Sequence, residues 1–286
     1  MPDDRAQPNP VPVLAEIVEH KRREVAEAKA QTPLESLKER IEELGRPRNF
    51  FGAVTNRPSI HHPAIIAEIK RKSPSAGLIR PEFEGDGFDP VAIARRYHAG
   101  GAAALSCLTD ERYFGGRLEY IHRVRDAVPL PVLRKDFIID PYQVWESRAA
   151  GADAILLIAE CLTESELVDL LILARELQLT TLVETHDMDN LLRVRPHVGF
   201  PARSYMLLGI NNRDLSTMTT DLNHTLRMLD LVEDTSILVT ESGIRSREDI
   251  LKLARHGVHI ALVGESLMRA DDPGAALAAL LGRKPG

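Results

Sequence analysis

Cysteine is close to absent from this chain, which carries two in 286 residues, Cys107 and Cys161. They are too few and too far apart for a disulfide framework or a zinc cluster, and their apolar neighbours make them small core residues. Long hydrophobic runs are missing as well. None approaches the roughly 18 residues that span a bilayer, and the acidic, proline-rich residues 1–12 hold no apolar signal segment. A cytoplasmic protein with no membrane partner is expected. Nor is positive charge in excess: a formal net charge of −6 lacks the basic footprint that nucleic acid requires, although it leaves room for a local cationic pocket. The histidines show no ligand spacing, and His61-His62 precede the first apolar run, so neither a metal nor a cofactor is expected. A P-loop, a nucleophile elbow and a G-x-G-x-x-G turn are also missing, which argues against nucleotide hydrolysis, acyl transfer and dinucleotide binding.

What is there is enough apolar material for a full core, 44% of residues, arranged in a repeating unit. From Ala64 onward short apolar runs alternate with amphipathic helices, with strands predicted near 64–70, 102–108, 132–136, 153–158, 180–184, 205–210, 237–240 and 259–263. Helix starts are marked by Asp89-Pro90, Asp140-Pro141, Thr163 with Glu166, and Ser246 with Asp249, and helix stops by Gly100, Gly151 and Gly257. Runs such as Ala154-Ile155-Leu156-Leu157-Ile158 do not alternate with polar residues, which implies parallel strands buried on both faces. Eight β-then-α units predict an α/β fold, a (β/α)₈ TIM barrel, rather than an open doubly wound sheet.

Two helices precede the barrel. Leu14, Ile17, Val18, Val25 and Ala28 share a stripe with Lys21, and this helix is expected to lie over the barrel mouth as a lid. The second starts at a capping box of Thr32, Pro33 and Glu35 and shows Leu37, Ile41 and Leu44 on one face. The reading is an N-terminal extension over residues 1–50 and a catalytic barrel over 51–286, one structural domain overall. The stretch 81–88 reads as a long acidic loop, and 196–204 as an extension before the sixth strand.

Barrels of this kind carry their chemistry at the C-terminal ends of the strands, so the polar residues collected there are the candidates. The first run ends in Glu68 and Lys70, placed on one face by strand alternation while Ala67 and Ile69 take the other. The third ends in Lys135, the fifth in Glu184, the sixth in Asn211-Asn212-Arg213 and the seventh in Glu241. Taken singly, Lys135 could snorkel and Glu184 could cap a helix. Together around one mouth they form an acid/base set. Ser242-Gly243 and Gly264-Glu265-Ser266, with Ser73 from the first loop, suit a phosphate held by backbone amides and hydroxyls, although the glycines could also serve only tight turns.

These stretches carry a resemblance. Glu68-Ile69-Lys70 with Ser73-Pro74-Ser75, Leu108-Thr109-Asp110 with Tyr113-Phe114-Gly115-Gly116, and Leu133-Arg134-Lys135-Asp136-Phe137 are the first three motifs. Gly209-Ile210-Asn211-Asn212-Arg213-Asp214-Leu215, Glu241-Ser242-Gly243-Ile244 and Gly264-Glu265-Ser266-Leu267-Met268 complete them. In this order they resemble the indole-3-glycerol phosphate synthase family of tryptophan biosynthesis. The resemblance implies a carbon-carbon lyase that takes 1-(2-carboxyphenylamino)-1-deoxyribulose 5-phosphate to indole-3-glycerol phosphate with loss of carbon dioxide and water. It implies Lys135 as general acid, Glu184 as base or electrostatic stabiliser, and Lys70 and Glu68 in carboxylate binding and dehydration. Asn211 and Glu241 would hold ribulose hydroxyls, Arg213 the anthranilate carboxylate, and Phe137 and Leu157 the aromatic ring. A small phosphorylated substrate is the expected partner, with weak association among tryptophan-pathway enzymes. With Gly286 soon after the eighth helix, this activity is expected alone. The competing readings are another phosphate-binding barrel lyase or isomerase, a Schiff-base aldolase on Lys135, or a catalytically silent barrel subunit.

Overall fold

The eight apolar runs pair side by side, each parallel to its neighbours, and the last closes on the first. In the computed structural model, which describes residues 14–56, 58–202, 205–214 and 218–283, the strands are β1 (Ala64–Ile69), β2 (Ala104–Leu108), β3 (Val132–Lys135) and β4 (Ala154–Ile158). They continue as β5 (Thr180–Thr185), β6 (Met206–Asn211), β7 (Leu238–Glu241) and β8 (Ile260–Val263), and β8 pairs with both β7 and β1. Among the described residues this is a closed (β/α)₈ barrel, as the alternation predicts. Residues 1–12, Ser204, Leu215 and Gly286, which figure in the sequence reading, lie outside the described residues.

Alternation along each strand sorts side chains between two cores. Ile66, Ala104, Leu133, Leu156, Leu182, Val239 and Leu262 fill the barrel axis, while Ala67, Ile69, Cys107, Leu157 and Val183 pack outward against the helices. Register then lines up the polar strand ends. Glu68 lies beside Ser106, Leu108 beside Lys135, Ile158 beside Glu184 and Asn211 beside Glu241.

The sequence marks for helix starts hold at four places. Asp89 and Asp140 accept from amides of α4 (Pro90–Gly100) and α7 (Pro141–Ala149), and Thr163/Glu166 and Ser246/Asp249 form reciprocal boxes on α8 (Glu164–Glu176) and α11 (Arg247–Ala254). The fifth fails. The helix after α1 (Leu14–Gln31) is α2 (Leu34–Leu44), its N-cap is Pro33 with no side-chain bond, and Glu35 instead accepts from Lys38 at 2.8 Å. The Thr32 carbonyl meanwhile accepts from the Tyr142 hydroxyl at 2.9 Å, so Thr32 fastens α1 and α2 to α7. The helix α4 ends at Gly100, and Gly101, at φ 94°, takes the left-handed position after it. A Cβ on Gly100 would stand 2.5 Å from the Gly274 carbonyl, so its smallness serves the crossing of α4 with α13 (Pro273–Leu280).

A third helix before the barrel, α3 (Phe50–Thr55), went unpredicted because six residues are too few for periodicity. Asn49 caps it through Gly52 N–H, and Phe50 and Val54, both wholly buried, enter the axial core from its N-terminal end. The acidic stretch 81–88 has structure of its own. It folds as two 3₁₀ turns, Pro81–Phe83 and Gly85–Gly87, buries Phe83 and Phe88 edge to face at 5.2 Å, and is held by Arg71 bonds to the Phe83 and Gly85 carbonyls. It braces the flank.

If α3 seals the bottom of the barrel, Phe50→Ala should open a cavity no neighbour can fill and cost about 3–5 kcal/mol. Urea unfolding checks this; a loss below about 1 kcal/mol would mean that the axial core does not depend on the plug.

Candidate active site

Above the axial core the strand ends enclose a cavity of about 520 Å³, lined at the top by Leu14 and Ile17 of α1. Through these two residues that helix borders the cavity. It is pinned from below by an ionic seam: Lys21 lies 3.0 Å from Asp110 and 3.0 Å from Asp136, all three buried. Asp136 also accepts from Thr109 at 2.5 Å and Arg134 at 3.1 Å, and Arg134 reaches Glu146 at 2.8 Å. Asp110 in turn caps the short α5 (Glu111–Phe114), whose Phe114 stands 6.1 Å from Phe137 on the cavity wall. Removing water from these charges would be costly, but each has an opposite partner and hydrogen bonds. Burial raises the Asp136 carboxyl, yet Lys21 and Arg134 outweigh it and hold the group well below the usual carboxylate range.

At the centre is Lys135. Its ammonium lies 2.7 Å from Glu184 Oε2 and 3.5 Å from Glu241 Oε2, while Lys70 holds Glu68 Oε1 at 2.7 Å. Asn211 Nδ2 donates to the other Glu184 oxygen at 3.1 Å, and Asn211 Oδ1 accepts from the Arg213 amide at 3.0 Å. Burial pushes the Lys135 ammonium toward losing its proton, but the charges of Glu184, Glu241 and Glu68 outweigh burial and keep it protonated above the ordinary lysine range. The two carboxylates flanking it diverge. Burial and the neighbouring Glu184 charge push Glu241 up, whereas Lys135 and His186 overcome burial at Glu184 and hold it down. The two carboxylates therefore differ in how readily each takes a proton.

One end of the cavity is cationic and glycine-containing. Arg213 donates to Ser75 Oγ at 2.9 Å and to Glu265 at 3.1 Å, Arg245 and Arg269 line the same end, and Ser266 Oγ donates to the Ile244 carbonyl at 2.8 Å. Gly243 sits at φ 85°, so the Ser242-Gly243 turn needs that glycine. Gly264 has a different reason: a Cβ there would lie 2.5 Å from Glu68 Oε1. The same holds at Gly209, where a Cβ would meet Glu241 Oε1 at 2.5 Å.

Of the residues the sequence singles out, Glu68, Lys70, Ser73, Lys135, Phe137, Glu184, Asn211, Arg213, Glu241, Ser242, Gly243, Gly264, Glu265 and Ser266 all border this cavity. Leu157 does not. It points outward into the helix layer, and Leu156 and Ile158 face the cavity in its place. Sequence reasoning also missed Phe114, Arg245 and Arg269, which alternation cannot reach because they lie on helices or loops. Missed too was His186, although it follows Glu184 at the two-residue spacing of one strand face. Among the described residues no group of three His, Cys, Asp or Glu could hold a metal ion.

A closed (β/α)₈ barrel with buried, mutually poised acids and bases at its C-terminal mouth is a barrel enzyme built for proton transfer on a small molecule. The sequence profile described as indole-3-glycerol phosphate synthase matches residues 14–280, and the chain belongs to that family. A relative of that name from Acidithiobacillus ferrooxidans is 50% identical over 265 residues, covering 93% of this chain and 97% of its own. Another from Laribacter hongkongensis is 45% identical over 272 residues, 94% of this chain and 98% of its own. Solved structures share the fold at low identity. The 3-hexulose-6-phosphate synthase of Salmonella typhimurium superposes with a TM-score of 0.60 at 14% identity, covering 77% of this chain and 97% of its own. The tryptophan synthase subunit alpha of Legionella pneumophila gives 0.55 at 16% identity, with 85% and 97% covered.

Lys21→Met should leave Asp110 and Asp136 without their buried cation and cost about 3–5 kcal/mol at neutral pH. Because the folded Asp136 value is depressed, the seam's contribution is present above the unfolded value of about 3.9 and lost as pH falls through the folded one. The stability gap between variant and wild type, read by urea unfolding, should therefore narrow below about pH 4; a gap independent of pH would deny the charge pairing.

Proposed function

We propose that this chain is the lyase that converts 1-(2-carboxyphenylamino)-1-deoxyribulose 5-phosphate to indole-3-glycerol phosphate, releasing carbon dioxide and water. The observation that carries the chemistry is the Lys135 ammonium between Glu184 and Glu241. As the aromatic carbon attacks the ribulose carbonyl, the oxygen gains negative charge, and Lys135 is the acid that protonates it. Loss of carbon dioxide returns the bonding electrons to the ring and restores its aromaticity. Dehydration then takes one proton for the departing hydroxyl and gives one back as a C–H bond breaks, so a full turnover takes up one proton from solvent. Glu184 is assigned the C–H proton, and Lys70 with Glu68 the substrate carboxylate and the departing water. Asn211 and Glu241 hold ribulose hydroxyls. Arg213 receives the anthranilate carboxylate, and Phe114 and Phe137 wall the ring.

The phosphate is assigned to the end formed by Ser73, Ser242-Gly243 and Gly264-Glu265-Ser266, where Arg245 and Arg269 supply positive charge. Closure by α1 would keep water from the intermediates. No described helix is long and apolar enough to cross a membrane, and we place the activity in the cytoplasm, in weak association with other enzymes of tryptophan synthesis.

Appearance of indole fluorescence from the ribulotide tests the activity. Turnover should persist in EDTA; loss on chelation with recovery on adding a divalent ion would contradict the reading. Lys135→Ala should lower kcat by about 10²–10⁴ with a much smaller change in KM, the span of a positioned acid. A rise in KM at unchanged kcat would make Lys135 a binding residue only.

A further inference from the structure

His186 lies just behind Glu184, off the cavity lining, and no role assigned above uses it. One carboxylate grips it twice. The His186 amide donates to Glu160 Oε1 at 2.8 Å, and ring Nδ1 lies 3.1 Å from Glu160 Oε2. This fixes the ring with buried Nε2 turned to Glu184 Oε1, 3.2 Å away though off the line of a hydrogen bond. Glu184 thus has three partners, Lys135 on one oxygen and Asn211 and His186 on the other. Glu241, the other carboxylate beside Lys135, has one buried oxygen with no hydrogen-bond partner. A negative charge is far better compensated on Glu184 than on Glu241.

We propose that His186, clamped by Glu160, is a positioning residue for the reaction: it orients Glu184 and makes it the ionised member of the Glu184–Glu241 pair, so that the base is ready when the C–H proton leaves. The inference rests on Glu184 being that base, as assigned above. The groups facing His186 are Glu160 from the turn after β4, Glu184 near the end of β5 and His224 from α10 (Asn223–Met228), whose Nε2 lies 2.8 Å from the His186 carbonyl, and Cys161 adjoins Glu160. Lys135 and Glu241 stand on the far side of Glu184. Burial pushes the Cys161 thiol up to about 12, so it stays neutral. Burial pushes the imidazole down, but Glu160 and Glu184 outweigh it and carry His186 up to about 10, a cation throughout the neutral range.

The test is the pH profile of kcat for wild type, His186→Gln and Glu160→Gln, with Glu184→Gln alongside. Removing a cation beside Glu184 makes its carboxylate easier to protonate, so in His186→Gln the ascending acid limb should move to higher pH. At the plateau kcat should fall about tenfold or more, less than the 10²–10⁴ of losing the base, with KM nearly unchanged. Glu160→Gln keeps an acceptor for Nδ1 but removes the charge that holds the imidazolium, and should move the limb the same way by less. It carries the test alone if His186→Gln does not fold. A wild-type profile in folded variants, with turnover lost in Glu184→Gln, overturns the role of His186 and leaves the base assignment standing. Turnover retained in Glu184→Gln overturns the base assignment, and this inference with it.

Discussion

The site depends on one arrangement, an ammonium taken out of water and surrounded by more negative charge than it can neutralise. Lys135 alone at that depth would lose its proton, and Glu184 alone would gain one; together they remain an ion pair. Glu241 adds a carboxylate that the pair cannot fully satisfy, and burial with the Glu184 charge pushes it upward. A barrel is well suited to hold such a cluster. Its strands are fixed by register to neighbours on both sides, so groups from β1, β3, β5, β6 and β7 converge without loop flexibility.

The outer parts of the structure serve this cluster. The α3 plug and the axial side chains fill the barrel below it, so the charged layer rests on a packed floor. Above it, α1 is fastened through Lys21 to Asp136, the residue directly after Lys135. The helix α1 and Lys135 are therefore tied to one strand end. Gly209 and Gly264 leave the space that Glu241 and Glu68 occupy, which makes two glycines of the barrel wall part of the electrostatic arrangement.

Much of this was legible in the sequence because strong periodicity and capping chemistry are local. The eight strands fall within about two residues of their predicted bounds, the usual uncertainty of element ends. The failures are physical too. Every residue of Ala154-Ile155-Leu156-Leu157-Ile158 is apolar, so hydrophobicity could not tell which parity faces the axis, and Leu157 was assigned to the wrong side. Thr32 has the side chain of a cap, but the cap position falls on Pro33, and the Thr32 carbonyl accepts from Tyr142, far along the chain. The acidic composition of 81–88 concealed two phenylalanines that anchor it. His186 and Glu160 come from different strand-end turns, and only the closed barrel brings them together.

Nitrogen-15 NMR of the Lys135 side chain tests the central claim most directly, with Lys135→Arg used to assign its resonance. The carboxylate cage requires the signal to remain that of an ammonium from about pH 6 to about pH 9, below the ordinary lysine value of about 10.4 as well as the raised one. A resonance that moves to the neutral-amine position within that range would show that burial wins over the carboxylates, and Lys135 would then be a nucleophile rather than an acid.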